Sequence, residues 1–245
     1  MPKLQATWLA GFGAALAIAG PAVAGPPYVT DDPEPTDLHR WEIYAFTGGS
    51  HARGLTGGAG GLDLNYGAAK DLQLTAVIPS EYESDGGFHA GWGDVELAAK
   101  IKFLHQDRFG ADVAFFPRIF LPTAPSHGEA RRVSVLLPVW IGKDVGAWTL
   151  FGGGGYTINP GAGARDYWQA GIAATHDLGA HWNVGGELYW LGADAVGGKD
   201  FASINLGVSY KLTEHWSLLA AGGPGVRNAR ENGRYDYYLS LKLDY

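Results

Sequence analysis

The sequence predicts an all-β fold: a single closed antiparallel transmembrane β-barrel of about twelve strands, with short periplasmic turns and longer extracellular loops. First, apolar and polar residues alternate with a period of two along most of the chain after residue 40, as expected for strands with two different faces. Second, the connections alternate between tight and long, which is typical of bacterial outer-membrane barrels. Third, no apolar stretch beyond the N-terminal one is long enough for a membrane helix, so strands must cross any bilayer.

Residues 1–24 have the features of a signal peptide that is cleaved on export. Lys3 gives the positive start, an apolar run extends from Ala6 to Gly20, and Ala22-Val23-Ala24 is a small-x-small cleavage site. An uncleaved anchor is the alternative, but the run is interrupted by glycines and is short for a span of about 20 residues. We therefore divide the chain into a signal peptide (1–24), a periplasmic N-terminal segment that is a candidate short lumen plug (25–40) and the barrel (41–245).

Composition narrows the function classes. The formal net charge of −7 argues against a nucleic-acid partner, which requires clustered Lys and Arg. Cysteine is absent, so the exported chain has neither disulfides nor thiolate metal sites. We expect no cofactor and no metal.

The alternation is clearest in two segments. From Asp94 to Phe103, apolar residues occupy the odd positions and charged residues most of the even ones, and the last segment, Tyr237 to Tyr245, repeats the pattern. Most segments have about the 9–11 residues that a tilted strand needs to cross a bilayer. Strands are predicted at 41–49, 58–66, 72–82, 93–103, 111–121, 131–141, 147–157, 166–175, 182–192, 201–211, 216–223 and 235–245.

Aromatic residues recur beside the tight turns. Trp148, Trp182 and Trp216 each restart a strand after such a turn, and Tyr245 ends the last strand. We expect these four residues to lie at one rim as an aromatic girdle, although Trp also simply suits strands.

A soluble lipocalin-like barrel would show the same alternation with its apolar face inward. The high strand number, the two-sided loop lengths and the aromatic end of the last strand favour the membrane barrel.

Two N-terminal stretches, Tyr28–Pro35 and His39–Glu42, together with Phe120–Ala124 and the glycine-rich Phe151–Tyr156, resemble a known family. It is the family of outer-membrane barrels labelled "MetA-pathway of phenol degradation". The resemblance spans essentially the whole mature chain and implies the passage of small, hydrophobic or aromatic compounds. The segment before the barrel is much shorter than the plug of fatty-acid channels, which argues against a full hatch domain.

If the apolar faces meet lipid, the opposite faces line the lumen. One wall is charged and the other is rich in glycine, whose missing side chains leave free volume. The sequence leaves open whether the charges form a filled, interlocked core or border a polar conduit. The predicted lumen-lining residues are Glu81, Asp94, Glu96, Lys100, Lys102, Asp112, Arg118, Gly153, Gly155, Gly171, Gly185, Glu187 and Asn205.

Prolines and acidic residues interrupt the pattern. Pro79, Pro117 and Pro138 fall within predicted strands, and each removes a ladder donor, so each predicts a kink, bulge or early strand end. Asp31, Asp32 and Glu34 suggest either a calcium site or, as we prefer, a flexible acidic N-terminus.

The leading functional hypothesis is a passive outer-membrane channel or transporter for small solutes. A closed structural or surface-interaction barrel is the second hypothesis, and a lipid-acting barrel enzyme the third. We expect no enzyme activity because no Ser lies in a Gly-x-Ser-x-Gly motif and the histidines fall mostly in turns and loops. His176, Asp177 and His181 form at most a weak metal motif. The expected partners are outer-membrane lipid, the barrel-assembly machinery during insertion and a small-molecule solute.

Overall fold

The structure is a computed structural model that describes residues 27–125, 132–232 and 235–245. The predicted signal peptide lies outside these residues. The two helices, α1 (Gln106–Phe109) and α2 (Ala229–Asn232), are short, and no helix in the described part of the chain is long and apolar enough to cross a bilayer. The strands are β1 (Trp41–Ala52), β2 (Leu55–Ala69), β3 (Leu72–Ser84), β4 (Phe88–Trp92), β5 (Val95–Leu104), β6 (Asp112–Phe115), β7 (Arg118–Leu121), β8 (Ser134–Val145), β9 (Trp148–Ile158), β10 (Tyr167–Leu178), β11 (Trp182–Leu191), β12 (Phe201–Lys211), β13 (Trp216–Arg227) and β14 (Tyr235–Asp244).

These strands form one closed antiparallel barrel. Strands that are adjacent in sequence pair with each other except at β4–β5 and β6–β7, and β1 also pairs with β14 from Glu42↔Asp244 to His51↔Tyr235, which closes the sheet. Both β4 and β5 pair with β3, and both β6 and β7 pair with β5 and β8. Each of these two couples therefore occupies one position in the wall. The predicted twelve-stranded barrel is confirmed.

The wall is apolar outside and polar inside. Along β5, Leu97 and Ile101 are 46% and 42% exposed, whereas Glu96 and Lys100 are 2% and 0% exposed. This polarity is that of a membrane barrel, in which lipid meets the apolar face. A soluble barrel requires the reverse, so the soluble alternative is wrong.

The two rims differ, although less regularly than predicted. At one, called here the tight-turn rim, β2–β3, β8–β9, β10–β11 and β12–β13 are joined by turns of a few residues, and β5–β6 by α1. At the other, called the long-loop rim, most connections are longer. The prediction was wrong for the first hairpin, because β1 and β2 extend until only Arg53 and Gly54 connect them. Both residues have positive φ, 53° and 80°, which matches the right-handed twist of a two-residue hairpin.

The four predicted girdle residues lie near the tight-turn rim. Trp148, Trp182 and Trp216 are the first residues of β9, β11 and β13, and Tyr245 directly follows β14. All four are at least 40% exposed. Such amphipathic rings suit the boundary between lipid and water.

The prolines break the ladders of neighbouring strands. Pro117 separates β6 from β7, as expected, but β3 runs through Pro79 and β8 runs through Pro138. The carbonyl of Pro79 accepts from the Gly93 N–H, and that of Pro138 accepts from the Phe116 N–H. The N–H and C=O of one strand residue point toward the same neighbouring strand. The side on which Pro79 lacks an N–H therefore faces the gap between β4 and β5, and the side on which Pro138 lacks one faces the gap between β6 and β7. The strands β3 and β8 therefore continue through Pro79 and Pro138, and the interruption lies in the neighbouring strands.

Candidate functional site

The residues from Pro27 to Thr36, called here the lumen segment, lie inside the barrel. Tyr28, Asp31 and Asp32 are 4%, 2% and 0% exposed. The chain leaves the lumen at the tight-turn rim, where Leu38 bridges to Gly67 just before β1. The preferred expectation of a flexible acidic N-terminus was therefore wrong, because these carboxylates have cationic partners on the wall.

Asp31 connects two of those cations. Lys100 Nζ lies 2.9 Å from Asp31 Oδ1, and Arg118 Nη2 lies 2.8 Å from Asp31 Oδ2. Asp32 Oδ1 lies 3.7 Å from the same Lys100 Nζ. These side chains are at most 4% exposed. A carboxylate shared by two buried cations forms strong charge-assisted hydrogen bonds, since little water competes.

A second ion pair lies nearer the tight-turn rim. Lys102 Nζ donates to Glu34 at 2.6 and 2.7 Å, and the Lys102 and Glu34 side chains are 12% and 26% exposed. Asp112 of the wall lies 3.8 Å from the same ammonium. The lumen segment is thus anchored to one wall at two successive levels.

The wall around the anchor also contains an acid and an aromatic ring. Glu96 Oε1 lies 3.4 Å from Arg118 Nη1. The Phe116 ring is fully buried, with the Arg118 guanidinium 4.3 Å and the Lys100 ammonium 4.9 Å from its centroid. Both distances are within cation–π range. Phe116 was missed by the sequence analysis although it lies on the inner face, because the predicted lumen residues were all polar residues or glycines.

The glycine wall holds the opposite side of the segment. A Cβ at Gly207 would lie 2.6 Å from the Tyr28 hydroxyl oxygen and 2.7 Å from Cε1 of that ring, and one at Gly185 would lie 2.8 Å from the same oxygen. A Cβ at Gly171 would collide with Thr30 Oγ1. The expectation of free volume beside these glycines was wrong, because the lumen segment fills it.

Glu187 binds the backbone of the segment. Its carboxylate accepts from the Thr30 N–H at 2.8 Å and from the Val29 N–H at 3.1 Å. Asn205 Nδ2 donates to the other oxygen at 2.9 Å. This buried acid is satisfied by three donors, and it orients the chain between the glycine wall and the charged wall.

Polar side chains hold the segment where it approaches the rim. The Thr36 N–H donates to Gln73 Oε1 at 2.8 Å, and Gln73 Nε2 donates to Asn65 Oδ1 at 2.7 Å. Thr75 Oγ1 donates to the same Asn65 oxygen at 2.6 Å. The sequence analysis did not select these residues, since single Asn, Gln and Thr residues on a strand carry no distinctive pattern.

The remaining predicted lumen residues contact other parts of the wall. A Cβ at Gly153 would lie 2.9 Å from the buried Trp140 ring, and one at Gly155 would lie 2.6 Å from Pro138 Cα. Asp94 Oδ1 accepts from the Ala124 N–H at 3.0 Å, and Glu81 is half-buried. The three contacts named for Gly153, Gly155 and Asp94 do not involve the lumen segment.

A second charged cluster lies where β1 meets β14. Lys242 is fully buried, with its ammonium 2.7 Å from Asp244 Oδ1 and 3.5 Å from Glu42 Oε1. The Tyr44 hydroxyl donates to Glu42 Oε2 at 3.0 Å. The barrel is therefore closed by buried charges on its inner face as well as by the backbone ladder.

Asp200 joins the connections at the long-loop rim. It accepts from Trp190 Nε1 at 2.9 Å and from Asn228 Nδ2 at 2.9 Å, and it also pairs with Arg227 Nε. The hydrogen bonds from Trp190 and Arg227 lower the pKa of the Asp200 carboxyl below its usual value. This contact ties β11 to β13 outside the membrane span.

No metal-binding group is formed in the described parts of the chain, where no three His, Asp or Glu side chains are suitably arranged. The carboxylates of Asp31 and Glu34 face ammonium and guanidinium groups, not an empty cage. His176 and His181 each place Nδ1 3.1 Å from a backbone carbonyl oxygen, those of Ala147 and Lys211. The calcium and histidine-site alternatives therefore have no geometric support.

Comparison with known proteins finds similarity of structure only. No protein-family model matches the chain, and no curated protein matches its sequence. The COG4313 outer membrane channel from Pseudomonas putida F1 is similar with a TM-score of 0.69 and 18% identity, covering 87% of this chain and 98% of that one. The NanC porin is similar with a TM-score of 0.58 and 10% identity, covering 83% and 98% of the two chains. The chain therefore shares the fold of outer-membrane barrels.

Proposed function

We propose that this protein is a channel of the bacterial outer membrane that lets small solutes diffuse passively once the lumen segment shifts. The observation that carries the proposal is the identity of the group that fills the lumen. Small barrels of about eight strands are closed by side chains of their own strands. Here the centre is occupied by residues 27–36, which precede the barrel and are held there by non-covalent contacts.

The wall behind the segment is built like a conduit. Glu96, Lys100 and Arg118 are hydrophilic, and water could solvate each of them if the segment left. Twelve strands also enclose more space than the eight whose side chains fill a small barrel, though less than the sixteen of an open porin. A polar lumen of intermediate width suits small solutes.

The outer surface supports placement in the outer membrane. Leu97, Ile101 and Leu239 are exposed apolar residues on the outer face of the barrel, and tryptophans mark the tight-turn rim. We infer that residues 1–24 direct export and are removed. The barrel-assembly machinery then recognises β14, whose alternation ends on Tyr245.

For the solute we propose small hydrophobic or aromatic compounds. The resemblance to the MetA-pathway barrels implies this class, and aromatic rings in the lumen support it. Tyr28 packs on Phe151 with ring centroids 6.4 Å apart, and the buried rings of Phe116 and Trp140 also face inward.

Planar-bilayer conductance tests the proposal. Wild type should give small, rare openings, and Asp31→Asn/Glu34→Gln should give larger and more frequent ones because the segment loses its anchors. Asp85→Asn, a change in an exposed turn, should behave as wild type. If no variant conducts although all migrate as folded barrels on gels, the protein is a closed structural barrel.

The closed structural barrel is the second candidate. It is favoured by the dense contacts of the segment with both walls and by the buried Lys242 cluster, which stabilise the closed form. The same conductance experiment separates the two functions.

A further inference from the structure

We propose that the solute is a small aromatic carboxylate, which takes the places now held in the lumen by the Asp31 carboxylate and the Tyr28 ring. This inference rests on the proposed channel function and deepens it. The observation that carries it is the placement of two sites on opposite walls. One is a pair of buried cations, Lys100 and Arg118, called here the fork. The other is the space over Gly185 and Gly207 that holds the Tyr28 ring, called here the ring slot. In the closed protein, the lumen segment occupies both places.

The fork is shaped for one carboxylate. Lys100 and Arg118 bind separate oxygens of Asp31, at 2.9 and 2.8 Å, as two donors bind a carboxylate ligand. Their side chains are 0% and 4% exposed. A solute carboxylate in the same position would meet identical donors.

The charge of the wall favours an anion when the segment leaves. Lys102 and Arg118 then keep the carboxylates of Asp112 and Glu96 within 4 Å. Among the described residues, the carboxylates within 4 Å of the Lys100 ammonium are those of Asp31 and Asp32, both of which belong to the segment. Because an uncompensated buried charge is strongly destabilising, a single monoanion is the favoured occupant.

The ring slot is equally specific. Gly185 and Gly207 form its floor, since a Cβ on either would lie within 2.8 Å of the Tyr28 hydroxyl oxygen. Phe151 forms one side, with its ring tilted 53° from that of Tyr28. Aromatic pairs at this separation are favourable beyond the area they bury. The slot therefore accepts a flat ring that replaces the Tyr28 side chain.

The spacing limits the size of the ligand. Tyr28 and Asp31 are three residues apart, so their Cα atoms are separated by at most about 10 Å. A short flexible linker lets one ligand present its ring toward the slot and its acid toward the fork. We therefore choose 3-phenylpropionate as the probe, with 3-phenylpropanol and butyrate as analogues that lack the charge and the ring.

Calorimetric titration of the full-length protein in detergent micelles tests the inference. Asp31→Asn removes the internal competitor, so 3-phenylpropionate should bind this variant about tenfold more tightly than wild type. Asp31→Asn/Arg118→Gln should lose that gain because the fork is broken, and Asp85→Asn should match wild type. Both analogues should bind Asp31→Asn at least about tenfold more weakly than the probe.

Three results would overturn the inference. They are equal binding of 3-phenylpropanol and 3-phenylpropionate, an unchanged affinity in Asp31→Asn, and retention of the gain after loss of Arg118. If Asp31→Asn/Glu34→Gln conducts while 3-phenylpropionate neither binds nor blocks the current, the solute class is wrong and the channel stands. Binding without conductance in any variant would end both proposals.

Discussion

Asp31 Oδ2 lies 2.8 Å from Arg118 Nη2 in a buried pair that links residues 87 apart in sequence. One partner belongs to the segment before the barrel and the other to β7, directly after the interruption at Pro117. The contact therefore joins occupation of the lumen to the most irregular part of the wall. A change at Arg118 should affect both the stability of the barrel and the position of the segment.

Arg118→Ala should lower the free energy of unfolding by about 3–5 kcal/mol, because it leaves Asp31 and Glu96 buried with fewer partners. The midpoint of urea unfolding in micelles measures the loss. Arg227→Ala removes an exposed partner of Asp200 and should shift the midpoint little. A wild-type midpoint for Arg118→Ala would show that water already solvates this cluster.

Gly207→Ala should displace the lumen segment, because its Cβ would lie 2.6 Å from the Tyr28 hydroxyl oxygen. The chain has no cysteine, so a single Val29→Cys reports on the segment by its rate of maleimide labelling. That rate should rise at least about tenfold in Gly207→Ala, which corresponds to about 1.4 kcal/mol. Gly57→Ala, where the nearest atom to the new Cβ is 3.9 Å away, is the matched control. Equal labelling rates in both variants would contradict the close packing of Tyr28 on Gly207.

The alternation of apolar and polar residues predicted the fold, because it depends only on residues that are close together in the sequence. Lys100 and Arg118 could be placed on the inner face from parity alone, and their burial agrees with that placement. The identity of their partner could not be predicted, because residues 27–36 have no periodicity that shows where they lie. Three lumen cations on one wall and three acids within residues 27–36 were the only signal of the pairing.

The glycines illustrate a second limit. The alternation along their strands placed Gly171 and Gly185 on the inner face, but a glycine in a sequence does not reveal what packs against it. Pro79 and Pro138 show the same limit for hydrogen bonds, since a missing donor can be accommodated by a gap in the neighbouring strand. In both cases the answer depends on contacts between residues far apart in sequence.

Topology can be tested on intact cells. Epitope tags after Gly86 and after Asn228 lie at the long-loop rim and should be accessible to antibody without permeabilisation. A tag in the Asp107–Gly110 connection lies at the tight-turn rim and should be hidden until the outer membrane is opened. Labelling of that connection on intact cells would reverse the orientation.

Leu239 tests which face meets lipid. It is 47% exposed and lies near the middle of β14, where it pairs with Thr47 and Ala220 on the neighbouring strands. Leu239→Arg should destabilise the folded barrel by about 2–4 kcal/mol, because a cation near the centre of the bilayer is poorly solvated.

The matched control is Tyr245→Arg at the tight-turn rim, where the cost should fall to about 0–1 kcal/mol since the charge reaches water. The folded fraction after membrane insertion, measured by heat-modifiable migration on gels, should therefore drop for Leu239→Arg and stay near wild type for Tyr245→Arg. A common effect of both substitutions would point to a general defect of β14 in assembly. If Leu239→Arg migrated like wild type, the face of β14 that contains Leu239 would not contact lipid. A charge on a lipid-facing residue near the centre of the bilayer must reduce the folded fraction.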